Sequence, residues 1–302
     1  MKTYNSIIVG AGPAGLTASI YLARKKIDFL LISEDIGGQA VTSGNIENFP
    51  GYKSISGAEL ISKIQKQAEK LGVKIFYEKI KAIKKNNSLF MVTTEEKIYF
   101  TKTVIITSGK FPKKLDIIGE EEFLGKGVAY CATCDAPNFK NVPVAVIGGG
   151  NSAMDSVLQL AKYTNQIYLI DITDQFIADA LMQEKVEKLG FVKIMHNRKI
   201  ITIKGKKIVS AVEVEDTKNK EKETINLGGI FVNIGWQPST QFKIPVRLNN
   251  QGEIIIDKNC CTNIKGFFAA GDVTDILAKQ AIVAAGEGAK AALSVYNFLM
   301  KN

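Results

Sequence analysis

The sequence of 302 residues is poor in cysteine and histidine, with four of the first and one of the second. So few cysteines do not form the disulfide framework of a secreted scaffold, so a close pair is expected to be catalytic or metal-binding. A structural zinc site usually needs four ligands. The lone histidine, His196, and the adjacent pair Cys260–Cys261 are a poor set of ligands. We therefore expect no metal, and a structural role for these three residues.

Long apolar runs are also missing. No stretch reaches the roughly 18 apolar residues that a membrane-spanning helix needs. The short apolar run after Lys2 leads directly into a glycine turn, so it predicts a first strand rather than a signal peptide. With 46% hydrophobic residues and only 7 prolines, the composition is that of a globular protein. We expect a soluble, cytoplasmic protein.

Acidic residues are fewer than basic ones, 30 against 39, so the formal net charge is +9. Such a surplus indicates either a solvated lysine-rich surface or an acidic partner. No zinc-finger spacing, RNA-binding signature or basic-aromatic run is present, so nucleic acid is not an expected partner.

A glycine-rich turn follows the first predicted strand. Asn5–Val9 is apolar, the next six residues read GAGPAG, and a helical pattern follows. In this G-x-G-x-x-G pattern, Gly10 permits a tight turn, Gly12 lets the backbone approach a pyrophosphate, and Gly15 lets helix and strand pack closely. A second strand ends just before Glu34, an acid suited to a ribose hydroxyl. The segment predicts dinucleotide binding.

The same pattern recurs in the middle of the chain. A strand over 143–147 leads into the turn Gly148–Ala153, then a helix, and then a strand that ends at Asp171. Two such units predict two dinucleotide-binding domains. A third signal is an apolar strand that ends in Gly271–Asp272 and is followed by an alanine-rich helix. An aspartate there can bind a ribityl hydroxyl or a phosphate region, and a helix start suits the negative edge of a reduced flavin.

Cys131 and Cys134 form a C-x-x-C motif with Asp135 directly behind it. A static disulfide between them closes too short a loop to add much stability. At the start of a helix, this motif lowers the pKa of one thiol and supplies a thiolate near neutral pH. The motif therefore predicts a redox couple. Asp135 is suited to move a proton, to cap the helix, or to do both.

GAGPAG, GGQ, ENFPG, CATCD, GGGNSA and FAAGD occur in this order along the chain. This series closely resembles the low-molecular-weight thioredoxin reductases over essentially the whole length. The resemblance implies an α/β protein with two Rossmann-like, three-layer domains, the second inserted into the first. It assigns 1–112 and 244–302 to an FAD domain, and 113–243 to an inserted NAD(P)H-like domain that carries the cysteine pair. It also implies a homodimer.

The resemblance implies that both ends of the chain hold FAD. The expected FAD residues are Gly10, Gly12, Pro13, Ala14, Gly15, Glu34, Gly38, Gln39, Asn48, Gly271, Asp272, Gln280 and Ala281. In the family, the residue matching Cys134 faces the flavin, and the residue matching Cys131 attacks the disulfide of thioredoxin or a thioredoxin-like protein. The inserted domain then rotates between the two tasks.

One segment departs from the family pattern. NADPH-dependent members carry basic residues after the second strand of the inserted domain, and these bind the 2′-phosphate. The matching segment, Ile170–Asp179, has three aspartates and no basic residue, which argues against NADPH. Reduced ferredoxin is the favoured donor, because an acidic carrier suits a basic protein. NADH, with Asp171 on its ribose, is the alternative, and a flavin dithiol oxidase is a further one.

Overall fold

The computed structural model describes residues 2–42 and 45–301. The chain divides into two compact units. The first contains the chain up to Thr42, Ile46–Phe111 and the chain from Gln237 onward, and the second contains Pro112–Trp236. The second unit is thus an insertion within the first, as predicted.

Helices and strands alternate along the described chain. Before the insertion lie β1 (Thr3–Ala11), α1 (Pro13–Arg24), β2 (Phe29–Ile36), β3 (Asn45–Ile46), β4 (Ile55–Ser56), α2 (Gly57–Lys70), β5 (Ile75–Tyr77), β6 (Ile80–Asn86), β7 (Leu89–Thr94), β8 (Ile98–Ile106) and β9 (Lys110–Pro112). Then come β10 (Val128–Ala129), α3 (Ala132–Asp135), β11 (Val144–Ile147), α4 (Asn151–Leu160), β12 (Ile167–Ile170), α5 (Ala180–Glu187), β13 (Val192–Met195), β14 (Arg198–Gly205), β15 (Val209–Asp216), β16 (Lys222–Asn226) and β17 (Gly229–Val232). The last elements are β18 (Trp236–Pro238), β19 (Phe267–Ala269) and α6 (Ala281–Lys301). None of the helices within 2–42 and 45–301 has both the length and the apolar character to cross a membrane.

A seven-stranded sheet forms the centre of the first unit. Strands β5, β2, β1 and β8 are parallel neighbours in that order, and β7 and β6 continue the sheet in antiparallel fashion. Strand β19 pairs in parallel with Val104–Ile106 of β8. The carboxyl ends of β1 and β19 therefore meet at one edge of the sheet. Ligands bind at this edge in open α/β sheets.

Strand β1 contributes to the hydrophobic clusters on both faces of this sheet. Ile8 packs with residues of α1 and α6, whereas Ile7 and Val9 pack with residues of β6 and β7. All three are at most 3% exposed. Such a continuous apolar run is typical of a strand covered on both faces.

The second unit has three layers. Its parallel sheet has the order β10-β17-β11-β12-β13, and β14, β15 and β16 form a separate antiparallel sheet. Val144 and Val146 of β11 pack with residues of α4 and α5, while Ala145 and Ile147 pack with residues of the antiparallel sheet. The prediction of two Rossmann-like domains is confirmed.

The boundary after the insertion lies earlier than the sequence predicts, between 236 and 237 rather than 243 and 244. Backbone pairing explains the difference. The Ile83 N–H donates to the Lys243 carbonyl at 2.7 Å, and the Ser239 N–H donates to the Gly109 carbonyl at 2.9 Å. Residues 237–243 therefore belong to the first unit.

Candidate active site

The first glycine-rich turn joins β1 to α1 at the ligand-binding edge of the sheet. Gly10 has a φ of 105°, and a Cβ there would overlap the Thr107 carbonyl. A Cβ at Gly15 would overlap the Gly10 carbonyl. At Gly12, by contrast, φ is −75° and the nearest atom to an added Cβ is the Gly37 carbonyl oxygen, 3.9 Å away. Local packing therefore requires two of the three glycines.

Neither packing nor backbone conformation explains why the third position, Gly12, is a glycine. The missing side chain leaves the N-terminus of α1 open, and no side chain caps this helix. Pro13 has no N–H to satisfy, and Ala14 is small and buried. Free N–H groups and the positive end of the helix dipole suit a phosphate group. This cradle fits the pyrophosphate of FAD.

The C-terminal helix packs against the same turn. A Cβ at Gly288 of α6 would overlap the Ala14 carbonyl, and one at Gly271 would lie 3.1 Å from the Ala14 Cβ. Gly271 also has a φ of 77°. Small residues thus allow α6, which begins at Ala281, to approach the first turn closely. The predicted pairing of the two ends of the chain around one site agrees with this packing.

Two amide side chains connect distant segments beside this turn. Gln39, in a 3₁₀ turn with Gly38, donates a hydrogen bond to the Lys110 carbonyl. The Asn48 amide donates to Oε1 of Gln280 at 3.1 Å. The segment of Asn48 is therefore close to the start of α6, the segment of Gln39 is close to Lys110, and such amides suit the polar edge of a flavin ring.

Glu34 lies on β2, directly after Ser33. The Ser33 hydroxyl accepts the Ala11 N–H at 3.0 Å, so this part of β2 is adjacent to the first turn. The Glu34 carboxylate itself is exposed and forms an ion pair with Lys79 at 3.3 Å. Its contact with a ribose hydroxyl stays a prediction.

Asp272 carries a carboxylate in a mostly buried position. Burial raises its pKa, while the cations Lys110 and Lys279 act against that rise. Lys279 donates to the carbonyls of Thr274 and Asp272 and pairs with Glu253 at 2.9 Å. Burial in turn lowers the pKa of Lys110. The predicted ribityl ligand therefore lies in a cluster of opposite charges, and its two lysines were not singled out by the motifs.

The second unit carries the redox pair. Cys131 and Cys134 form a disulfide with a Cα–Cα distance of 5.4 Å, and both residues are partly exposed. Cys131 immediately precedes α3, and its carbonyl accepts the N–H groups of Cys134 and Asp135. One helical turn thus contains both cysteines and Asp135. Partial exposure lets a disulfide exchange with another thiol.

The second glycine-rich turn repeats the features of the first. Gly148 has a φ of 128°, and a Cβ there would overlap the Asn233 carbonyl. Gly150 has a φ of −96°, and the nearest atom to an added Cβ is the Ile177 Cδ1, 3.9 Å away. Again no side chain caps the helix, α4. The middle glycine leaves the helix N-terminus open in both turns.

Asp171 follows β12 directly and lies beside this second turn. It is 8% exposed, and it accepts a hydrogen bond from the Thr173 hydroxyl. A Cβ at Gly149 would overlap the Asp171 carboxylate. The next residue, Ile172, is 55% exposed and apolar, so it offers no cation to a 2′-phosphate.

The segment after Asp171 is hydrogen-bonded to the second turn. The N–H groups of Ile177 and Ala178 both donate to the Gly149 carbonyl at 3.0 Å. Asn151 and Asp179 exchange two further bonds of 2.8 Å each. The acid and the open helix N-terminus therefore have a defined separation, as a dinucleotide site requires.

The sequence profile of the pyridine nucleotide-disulphide oxidoreductases matches residues 4–288. The chain belongs to this family. It is similar to thioredoxin reductase from Streptococcus pyogenes MGAS5005, with a TM-score of 0.92, 33% identity and 99% of each chain covered. It is also similar to thioredoxin reductase from Giardia duodenalis, with a TM-score of 0.89, 33% identity, and 99% of this chain and 100% of that one covered.

Another similar protein is an alkyl hydroperoxide reductase component from Staphylococcus aureus (strain MRSA252), at 40% identity over 305 residues. The match covers all of this chain and 60% of that relative's length. The structural neighbours thus support the thioredoxin reductase resemblance. As a member of this oxidoreductase family, the protein is a flavoprotein enzyme that binds FAD.

Cys260, Cys261 and His196 lie outside this flavoprotein's predicted site. Cys260 is fully buried at a φ of 63°, with its Sγ 3.3 Å from Oε2 of Glu287. It is therefore a residue of the hydrophobic core. The His196 ring contacts Phe176 at a centroid distance of 4.3 Å. Within the described ranges, no group of three or more histidine, cysteine or acidic residues could hold a metal.

Cys260 should resist alkylation in the native protein. Burial is the main cause that raises its pKa, and the Glu287 carboxylate adds to the rise. Because the thiolate is the reactive form, iodoacetamide should modify Cys260 roughly 100-fold more slowly than an exposed thiol, at pH 7 and pH 9 alike. Mass spectrometry of the native and the urea-unfolded protein measures this. Fast labelling of the native protein would contradict the burial argument.

Proposed function

We propose that the protein is an FAD-dependent thioredoxin reductase, or a reductase of a thioredoxin-like protein disulfide. The Cys131–Cys134 disulfide is the observation that carries this proposal, because it lies in a chain whose first glycine-rich turn leaves a helix N-terminus open for the pyrophosphate of FAD. FAD, when bound, accepts two electrons and passes them on as a pair. The chain binds and orients this group through the open N-terminus of α1 and the mostly buried carboxylate of Asp272.

The two cysteines have separate tasks in this proposal. In the reduced protein, the Cys131 thiolate attacks one sulfur of the partner's disulfide, and the other partner sulfur leaves as a thiolate. Cys134 then attacks the Cys131 sulfur of the mixed disulfide, which re-forms the internal disulfide and releases the reduced partner. Asp135, on the same helical turn, supplies the proton that a leaving thiolate takes up.

We favour NADH as the electron donor, although the sequence alone favours ferredoxin. The support is local: Gly150 leaves the N-terminus of α4 open, and Asp171 is held beside it by a hydrogen-bonded segment. A carboxylate there accepts hydrogen bonds from free ribose hydroxyls and repels a 2′-phosphate. Retention of the whole arrangement supports a working dinucleotide site.

Ferredoxin remains the second candidate because of how the charge is distributed. The FAD unit has 23 lysines and arginines against 14 acids, whereas the inserted unit has 16 of each. The whole net charge of +9 therefore belongs to the unit that holds the flavin. Such a unit attracts an acidic electron carrier over a long range.

Anaerobic mixing of the yellow holoprotein with each donor tests this choice. We expect NADH to bleach the flavin absorbance rapidly, while NADPH acts at least about 10-fold less efficiently, because Asp171 repels its 2′-phosphate. Asp171→Asn should raise the KM for NADH by about 10- to 100-fold, since hydrogen bonds to a charged group are lost. Asp174→Asn, an exposed change in the same segment, is the matched control.

Bleaching by reduced ferredoxin alone would reject NADH and leave the reductase itself intact. Rapid oxygen consumption with a dithiol substrate, and no reduction of thioredoxin, would instead favour the flavin dithiol oxidase. The homodimer is part of the proposal as well, and light scattering measures it.

A further inference from the structure

A buried carboxylate is hydrogen-bonded to the residue directly before the redox pair, and the proposed reaction does not use it. Glu120 is 2% exposed. Its Oε1 accepts the Leu115 N–H at 2.9 Å and the Tyr130 hydroxyl at 2.8 Å, and its Oε2 accepts the Asp116 N–H at 2.9 Å. A buried carboxylate is costly unless such donors satisfy it. A charged group in the interior does not contribute to solubility, so Glu120 is expected to have another role.

The segment that holds Glu120 is fixed to the antiparallel sheet of the inserted unit. The Ile203 N–H donates to the Ile118 carbonyl at 2.9 Å. Gly119 has a φ of 92°, and a Cβ there would overlap the Ile203 carbonyl. Glu120 thus has a rigid backbone under it, and a side chain bonded to it is held in place.

Tyr130 links this carboxylate to the redox pair. It follows β10 and comes directly before Cys131, and its ring packs against the hydrophobic cluster under the parallel sheet. Burial and the bond to Glu120 raise its pKa, so its hydroxyl stays protonated and donates. Ring packing and this hydrogen bond together hold the backbone that enters Cys131.

We propose that Tyr130 and Glu120 are positioning residues for Cys131. Their hydrogen bond holds the Cys131 backbone at the separation from Cys134 that the disulfide needs. The idea rests on the redox role of the pair in the proposed function, but not on which donor or partner protein the enzyme uses. Neither residue touches a reacting atom.

The consequence is measurable as an equilibrium. In a glutathione buffer, the protein dithiol reacts with one oxidised glutathione to give the protein disulfide and two reduced glutathiones. A dithiol whose two sulfurs are held near each other has a high effective concentration and favours the disulfide. Loosening the backbone before Cys131 therefore shifts this equilibrium toward the dithiol.

Tyr130→Phe in the holoprotein tests the proposal. The variant keeps the ring and its packing and loses only the hydrogen bond. We expect its equilibrium constant for disulfide formation to fall by about three- to tenfold, the range for one lost hydrogen bond. The measurement is anaerobic equilibration in glutathione buffers of different ratios, followed by alkylation and mass spectrometry of the peptide that contains both cysteines.

Tyr168→Phe is the matched control, because Tyr168 packs against the same cluster but lies on β12, away from the cysteines. It should leave the equilibrium unchanged. Glu120→Gln, whose amide oxygen can still accept the Tyr130 hydroxyl, should shift the equilibrium less than Tyr130→Phe. Equal constants for Tyr130→Phe and Tyr168→Phe would overturn the proposal. A wild-type pair that never exchanges with glutathione or thioredoxin would instead reject the proposed function.

Discussion

Replacing Cys134 with serine should convert the enzyme into a trap for its partner. Cys131 can still attack a protein disulfide, but no second thiol remains to resolve the mixed disulfide. We expect thioredoxin reduction to fall by roughly 1,000-fold or more, as for the loss of an essential group. After reduction of the variant and addition of oxidised thioredoxin, a non-reducing gel should show a one-to-one adduct that dithiothreitol releases.

Cys131→Ser is the control for this variant, because it removes the attacking thiol and should form no adduct. Cys261→Ser changes a partly exposed thiol outside the site and should keep full activity. An adduct with Cys131→Ser, and none with Cys134→Ser, would reverse the two assigned roles. Adducts with neither would remove the pair from the reaction with thioredoxin.

Aspartate at the middle glycine of each turn should remove one ligand without unfolding the protein. Gly12 and Gly150 precede α1 and α4 as N-cap residues with extended backbone, and aspartate is a favoured N-cap residue. Its charge, however, occupies the place of a phosphate and repels it. We expect Gly12→Asp to bind FAD at least about 100-fold more weakly, measured as flavin absorbance per protein after gel filtration.

Gly150→Asp is the matched variant in the second turn. It should keep a full complement of FAD and accept electrons from dithionite, yet lose reduction by NADH. Circular dichroism checks that both variants keep their helices. If Gly150→Asp were reduced by NADH at the wild-type rate, the second turn would not be the donor site. If Gly12→Asp kept its flavin, the cradle at α1 would be misassigned.

The parts of the fold that the sequence predicts well are those set by local chemistry. The strands predicted before the two glycine-rich turns, Asn5–Val9 and 143–147, differ from the observed strands by at most two residues at either end. Such elements follow from the spacing of apolar residues and from backbone conformations that glycine adopts readily.

Features that depend on contacts between residues far apart in the sequence could not be predicted in this way. The second boundary is set by the pairing of Lys243 with β6, across about 160 residues of chain. Lys110 and Lys279 become part of the flavin region only because folding brings them to Asp272. Glu120 belongs to an ordinary acidic run in the sequence, and only the Tyr130 contact distinguishes it. No local pattern encodes contacts of this kind.

The open space at Gly150 also bears on how this chain can evolve. Where the fold requires a particular residue, selection acts against substitutions, because most of them unfold the protein. Gly150 has no such protection: a single-base change to serine would meet no clash, and serine is a favoured residue at a helix start. In a lineage that no longer used a nucleotide there, this position would be among the first to drift. Position 150 is thus the one to examine when close relatives that use different electron donors are compared.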